Sequence, residues 1–404
     1  MLMSRSERVV RSGQIRIAMI GTRGVPASYG GFETAIEEIG ARLAAKGYQV
    51  VVYCRHARGE RLNTFKGMRL VHLPAVRSKT VETLSHTALS VLHLITRRRP
   101  HVAFLFNAAN APFLPILRAA RVPTAVHVDG LEWKRGKWGR NGRRYYRKAE
   151  EAAVRWGDAL IADAAGIADY YREEFGAHTE LLAYGAEIQP EPASDRLVEL
   201  ELQPGCYHLV VARFEPENHV DVIVEGFAAS SGVFPLVVVG SAPYSAAYTD
   251  QITAIGASDP RIRMVGGVWD QQQLDQLYGN ALLYLHGHSV GGTNPSLLRA
   301  MGAGTSVAAW DVNFNREVLG NEADFFANSD AARRIIENAE ADPAKQARRG
   351  ALLRSRAARL YDWDVVSSGY EDLARRLAEG STTAGSVTGR RRYQPPTTNR
   401  SVHA

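Results

Sequence analysis

An alternation constrains this chain more than any other feature. Short apolar runs take turns with longer segments whose apolar residues recur every three or four positions. Ile15–Ile20 is strand-like, while Phe32–Lys46 places Ile36, Ile39 and Leu43 on one helical face and stops at Gly47. Gln49–Cys54, Met68–Leu73, Val102–Phe106, Thr124–Val128 and Ala159–Ala162 read as further strands, and Thr83–Thr96, Arg144–Trp156 and Ala165–Phe175 as helices. Strands alternating with helices imply parallel βαβ units and a doubly wound sheet. The rhythm breaks between Tyr184 and Pro204, where Gly185, Pro190, Pro192 and Pro204 interrupt both periods. It then resumes with strands at Tyr207–Val211, Pro235–Val239, Ile262–Val265, Leu282–Leu285 and Ser306–Ala309. Helices follow at Val220–Ala228, from Pro295 through Met301, and at Ala331–Asp342, Pro343–Leu360 and Val365–Leu377. Two α/β halves joined by a linker predict a cleft between the carboxyl edges of their sheets, where open α/β sheets bind ligands.

Composition narrows the partners and the compartment. Lys and Arg total 49 against 42 Asp and Glu, a net charge of +7, which suits nucleic acid, membrane phosphate or a nucleotide-linked substrate. Cys54 and Cys206 are the two cysteines, which excludes a disulfide framework and a cysteine-based zinc site. Two buried thiols in a reduced cytosol are the simpler expectation. No window reaches the roughly 20 apolar residues that span a bilayer. The expected location is cytoplasmic, with at most peripheral contact with a membrane.

Three loops follow strands and carry phosphate-type chemistry. Gly21-Thr22-Arg23-Gly24-Val25-Pro26 through Gly30-Gly31-Phe32-Glu33 joins a strand to a helix. Glycines there let backbone N–H groups approach an anion, although a tight turn needs them equally. Ala212-Arg213-Phe214-Glu215-Pro216-Glu217-Asn218 puts Arg213 at a strand end, where it can clamp a diphosphate or pair with Glu215 or Glu217. In His286-Gly287-His288-Ser289-Val290-Gly291-Gly292-Thr293-Asn294-Pro295-Ser296, glycines, hydroxyls and an amide precede a helix with Pro295 in its first turn. His286 and His288 have the spacing of a metal pair but lack a third ligand in an obvious pattern.

Two further features lie between the first and second of these loops. Asp129, with Glu132 close by, ends a strand and can orient a sugar, accept a proton or simply cap a helix. Trp133, Lys134, Arg135 and Trp138 open a basic, aromatic run that extends to Lys148. That mixture suits a lipid–phosphate interface, nucleic acid or a solvated basic face.

Taken in order, these motifs resemble the GT-B glycosyltransferases of the GT4 type, and more narrowly the DUF1972-containing group that includes rhamnosyltransferases of cell-surface polysaccharide synthesis. The resemblance runs from about Ile15 to Leu377, and it also covers Val128-Asp129-Gly130-Leu131-Glu132-Trp133-Lys134-Arg135 and Gly287 through Leu298. It implies an α/β chain of two Rossmann-like doubly wound domains facing a cleft. Residues 15–187 would form the acceptor-side domain, 188–205 the linker and 206–360 the nucleotide-sugar domain. Tyr361-Asp362-Trp363 would open a helix over 361–379 that crosses back to the first domain. Residues 1–14 would be a flexible start and 380–404 a disordered basic tail.

The resemblance also implies roles. Arg213 would neutralise the departing nucleotide diphosphate, and Asp129 lies near where relatives keep a His beside the sugar. Gly30, Gly31, Asn218, His288, Gly291, Gly292, Thr293, Asn294, Ser296 and Arg299 would surround the donor. Such enzymes retain anomeric configuration and use electrostatic stabilisation that requires no metal or other cofactor. The expected donor is a nucleotide sugar, with dTDP-rhamnose favoured over UDP- and GDP-sugars. The expected acceptor is a lipid-linked glycan, and nucleic acid is not an expected partner. A catalytically weak GT-B binding subunit is the reading from another class. The chain departs from the family pattern at three positions: Asn218 stands where many relatives keep a Lys, and Gly291 and Arg299 stand where they keep two Glu. A guanidinium donates to ribose hydroxyls but cannot accept from them, so Arg299→Glu is expected to tighten donor binding.

Overall fold

The computed structural model describes residues 15–27, 31–56, 61–76, 81–97, 99–128, 131–134, 138–189, 191–240 and 246–381. Gly30, Asp129, Arg135, the first 14 residues and the tail from 382 onward lie outside the described residues.

The first half carries strands β1 (Arg16–Ile20), β2 (Gln49–Arg55), β3 (Thr64–Phe65), β4 (Met68–Leu73), β5 (Val102–Phe106), β6 (Thr124–His127), β7 (Ala159–Ala162) and β8 (Glu180–Leu181). Its helices are α1 (Gly31–Ala45), α2 (Glu82–Thr96), α3 (Leu114–Ala119), α4 (Arg140–Trp156) and α5 (Ala165–Phe175). The strands form one sheet in the order β3-β4-β2-β1-β5-β6-β7-β8, with every pair parallel except β3 with β4. β1 and β5 are buried along nearly their whole length because helices cover both faces.

The second half carries β9 (His208–Val211), β10 (Leu236–Val239), β11 (Ile262–Gly266), β12 (Leu283–His286), β13 (Val307–Trp310) and β14 (Asp324–Phe326). Between and after them run α6 (Val220–Ala228), α7 (Ala246–Ala257), α8 (Gln271–Gly279), α9 (Pro295–Ala303), α10 (Asn313–Leu319), α11 (Ser329–Ala341), α12 (Pro343–Leu360) and α13 (Trp363–Ala378). The sheet order is β11-β10-β9-β12-β13-β14, all parallel. The order therefore reverses direction between β9 and β12, and the loops leaving those two strands flank the ligand crevice of such a sheet.

The last helix returns to the first half. Asp362 caps α13 by accepting from Asp364 N–H, and Arg42 of α1 and Lys46 just beyond it pair with Asp364 and Glu371 at 2.7 and 2.8 Å. Tyr370 packs edge-on against Phe104 of β5, with ring centroids 5.3 Å apart. Residues 188–205 are packed rather than loose: Leu197 and Leu202 are buried, and Gln276 of α8 bonds Asp195 and the Arg196 N–H. Prolines there break regular elements without freeing the chain from the core. The sequence reading gave no element to α3, α7, α8 or α10, and it began α4 four residues late.

Candidate active site

Among the described residues, most of those expected around the donor converge at the β9–β12 reversal. Arg213 leaves β9 with 40% of its side chain exposed, and its nearest carboxylate partner is Glu215 at 3.4 Å. That single long ion pair leaves the guanidinium able to turn toward an anion in the crevice. Behind it, Asn218 is buried and donates its amide N–H to the Arg213 carbonyl at 2.7 Å. Because the Asn218 nitrogen is used there, Oδ1 faces His288 Nδ1 at 2.8 Å, and His288 must carry its proton on Nδ1. The His288 carbonyl accepts from Asn315 at 3.0 Å, and Ser289 N–H donates to the Glu217 carbonyl at 2.9 Å. Gly287 passes so close to the other loop that a Cβ would lie 1.9 Å from the Asn218 carbonyl oxygen. The two crevice loops are thus laced into one unit, with Asn218 and His288 as struts beneath Arg213.

The second loop ends in the N-terminus of α9. Asn294 caps it by accepting from Ser296 N–H at 2.9 Å, and Pro295 occupies the first helical turn. Gly291 sits at φ +133°, in a region that L side chains rarely adopt. The Ser296 hydroxyl points inward rather than into the crevice, meeting Tyr278, Tyr284 at 2.7 Å and the Val211 carbonyl at 3.2 Å. It ties the cradle to the end of β9. Tyr284 also reaches His286 Nδ1 at 3.2 Å, and burial lowers the His286 pKa to about 3, so that ring is neutral at pH 7.

The first half closes over this unit. The Thr293 hydroxyl donates to the Asp163 carbonyl at 2.6 Å, and a Cβ on Gly292 would meet Asp163 Oδ1 at 2.1 Å. A Cβ on Gly31 would meet Pro295 Cγ at 2.9 Å, so the first glycine loop faces the α9 N-terminus. That loop is not an empty cradle, because Glu33 and Glu37 accept from Arg23 N–H and Ala27 N–H at 3.1 and 2.7 Å. Farther along the interface, Glu317 of α10 accepts from Ala165 N–H with both carboxylate oxygens, at 2.9 and 3.0 Å. It supplies the N-cap that α5 lacks, since Ala164 has no side chain to do so. Neither Asp163 nor Glu317 stood out in the sequence, because nothing local marks a contact made across the cleft.

Two expected groups sit elsewhere. Arg299 turns away from the α9 N-terminus onto α8, pairing with Asp275 at 2.6 Å and bonding Gln271 at 3.0 Å through Oε1. Trp133, Lys134 and Trp138 lie on the loop that leaves the carboxyl end of β6, the same sheet edge from which the glycine loop leaves β1. Trp138 Nε1 donates to buried Glu132 at 3.2 Å, and its ring packs on Tyr146 with centroids 5.0 Å apart.

Comparison with known proteins agrees with this geometry. Residues 14–187 match the model of a domain of unknown function, DUF1972, and residues 203–352 match that of the Glycosyl transferases group 1. No curated protein matches the chain. Among solved structures, sucrose-phosphate synthase from Thermosynechococcus elongatus superposes with a TM-score of 0.78 at 20% identity, covering 90% of this chain and 99% of its own. HepE of Anabaena, solved with UDP-glucose, gives 0.71 at 16% identity, covering 89% and 99%. A glycosyltransferase from Rickettsia africae gives 0.66 at 13%, covering 90% and 98%. At these identities the likenesses establish the GT-B fold.

Proposed function

The chain is a glycosyltransferase that joins a DUF1972 domain to a group 1 glycosyl transferase domain, and we propose that it moves a sugar from a nucleotide-sugar donor with retention at the anomeric carbon. The observation that carries the reading is Arg213, partly free at the end of β9 beside the α9 N-terminus, at the reversal of the sheet. In the reaction the bond from the anomeric carbon to the diphosphate oxygen breaks, and a bond to the acceptor hydroxyl oxygen forms. The hydroxyl proton leaves on the departing diphosphate. Arg213 and the N–H groups of α9 oppose the negative charge that develops there, and the fixed loops place them before the reaction begins. Asn218 and His288 position Arg213 rather than touch the donor. Asp129, which lies outside the described residues, is proposed on the resemblance alone to act beside the sugar.

Within this reading the donor is dTDP-rhamnose and the acceptor a lipid-linked glycan met at an anionic membrane surface. No helix among the described residues is long and apolar enough to cross a membrane, so that contact would be peripheral. A UDP-sugar donor is the second reading, because HepE, of the same fold, was solved with UDP-glucose. A thermal-shift screen with dTDP-, UDP- and GDP-sugars tests both. A ligand that binds only the folded state, supplied at a hundred times its Kd, adds about 2.7 kcal/mol of stability. One nucleotide class should raise Tm clearly above the others. No shift from any of them would contradict a donor site.

A further inference from the structure

Helix α4 begins in a way that helices avoid. Its N-terminus carries partial positive charge and favours acids, yet the first turn holds no acid and Gly139 supplies no side-chain cap. Arg140, Arg143 and Arg144 crowd that end instead. Their three- and four-residue spacings, continued by Arg147 and Lys148, set like charges beside one another. Arginines elsewhere in the structure, such as Arg42, Arg261, Arg316 and Arg376, meet a carboxylate. Among the described residues, Arg140, Arg143, Arg144 and Lys148 have no carboxylate within ion-pair distance, whereas Arg147 reaches Glu150 at 3.6 Å and also meets Glu174. These side chains, with Trp133 and Trp138, line a cavity of about 920 Å³ in which Glu151 is the one acid among the described residues.

We infer that this cavity docks the phosphate headgroups of an anionic membrane surface, holding the crevice against the bilayer where a lipid-linked acceptor would be presented. The inference rests on the transferase reading only for the acceptor. The charge argument stands without it. Unbalanced guanidinium groups at a bare helix N-terminus call for an anion. Trp133 and Trp138 line the same cavity as apolar wall, Trp138 with its Nε1 turned onto buried Glu132. The position also fits, because the loop from β6 to α4 leaves the sheet at the cleft edge, and Tyr145 ties α4 to the loop after β5 through the Ala109 carbonyl at 2.7 Å. A nucleic acid is disfavoured by the same rings. Trp133 has Arg147 and Lys134 over it at 5.2 and 5.4 Å, and Trp138 lies against α4 at Gly142 and Tyr146. Neither indole then offers the open face on which a base stacks.

Flotation of the full chain with vesicles tests the dock. The wild type should bind phosphatidylglycerol-containing vesicles, should not bind pure phosphatidylcholine, and should lose binding as salt rises. Arg140→Glu/Arg143→Glu/Arg144→Glu should weaken vesicle binding by about a hundredfold or more, each cation being worth about fivefold. Its nucleotide-sugar thermal shift should stay at the wild-type value, so loss of the dock is separable from loss of the donor site. Should the triple variant fold poorly, Arg144→Gln gives a smaller loss on the same assay. Equal binding to both vesicle types, wild-type binding by either variant, or preference for RNA over anionic vesicles would overturn the inference.

Discussion

Asn218 shows what a single neutral side chain can contribute. Where a Lys would bring charge to the crevice, Asn218 uses its nitrogen on the Arg213 carbonyl and its oxygen on His288, joining loops 70 positions apart. Arg213 and the paired glycines were legible from the sequence, because strand, loop and helix signals locate them. The strut was not, because its partner is chosen by the packing of β9 beside β12. Arg299 makes the same point with a consequence. Its side chain and that of Asp275 are 25% and 28% exposed, so their ion pair is partly screened and contributes modestly. Arg299→Glu alone would set two carboxylates against each other and should lower stability by about 1 kcal/mol. Combining it with Asp275→Asn removes the repulsion and should expose the ribose-accepting effect as tighter donor binding in calorimetry. An unchanged or weaker donor Kd in the double variant would exclude position 299 from the nucleoside site.

At the level of elements, regular pieces were read well where the apolar period was strong. Strands β4, β5 and β7 and helices α5, α6 and α12 begin and end where the sequence reading placed them. Helix α8 was missed because it buries little more than Leu274, Leu277 and Tyr278 among glutamines, although Asp270, which caps it through Gln272 and Gln273 N–H, was a usable signal. The cap of α5 could not be found locally, since it comes from Glu317 in the other half. Glu317→Ala should therefore act on the junction between the halves. The expected cost is about 1 kcal/mol, with a larger radius of gyration in solution scattering and a raised donor KM. Glu317→Gln keeps an acceptor and should recover part of the loss. Unchanged scattering and KM in the alanine variant would show that the cap plays no part in closure.

Across the whole molecule, two largely parallel sheets present their carboxyl edges to each other, and contacts between the halves include Gly31–Pro295, Gly292–Asp163 and Ala165–Glu317. The architecture was legible because alternation, a break and a second alternation admit few folds. The closeness of the halves was not, because glycine in a sequence signals turn and tight contact alike. The positive charge is likewise resolved in space. Part of it gathers at the N-terminus of α4, and Arg213 stands at the end of β9, where we propose that it meets the leaving diphosphate. The decisive measurement is nucleoside diphosphate release from the best-binding nucleotide sugar by wild type and Arg213→Ala. Loss of a preorganised charge on the leaving group predicts turnover reduced about a hundredfold to a thousandfold with the fold intact. Turnover near the wild-type rate would contradict the assignment of this crevice as the donor site.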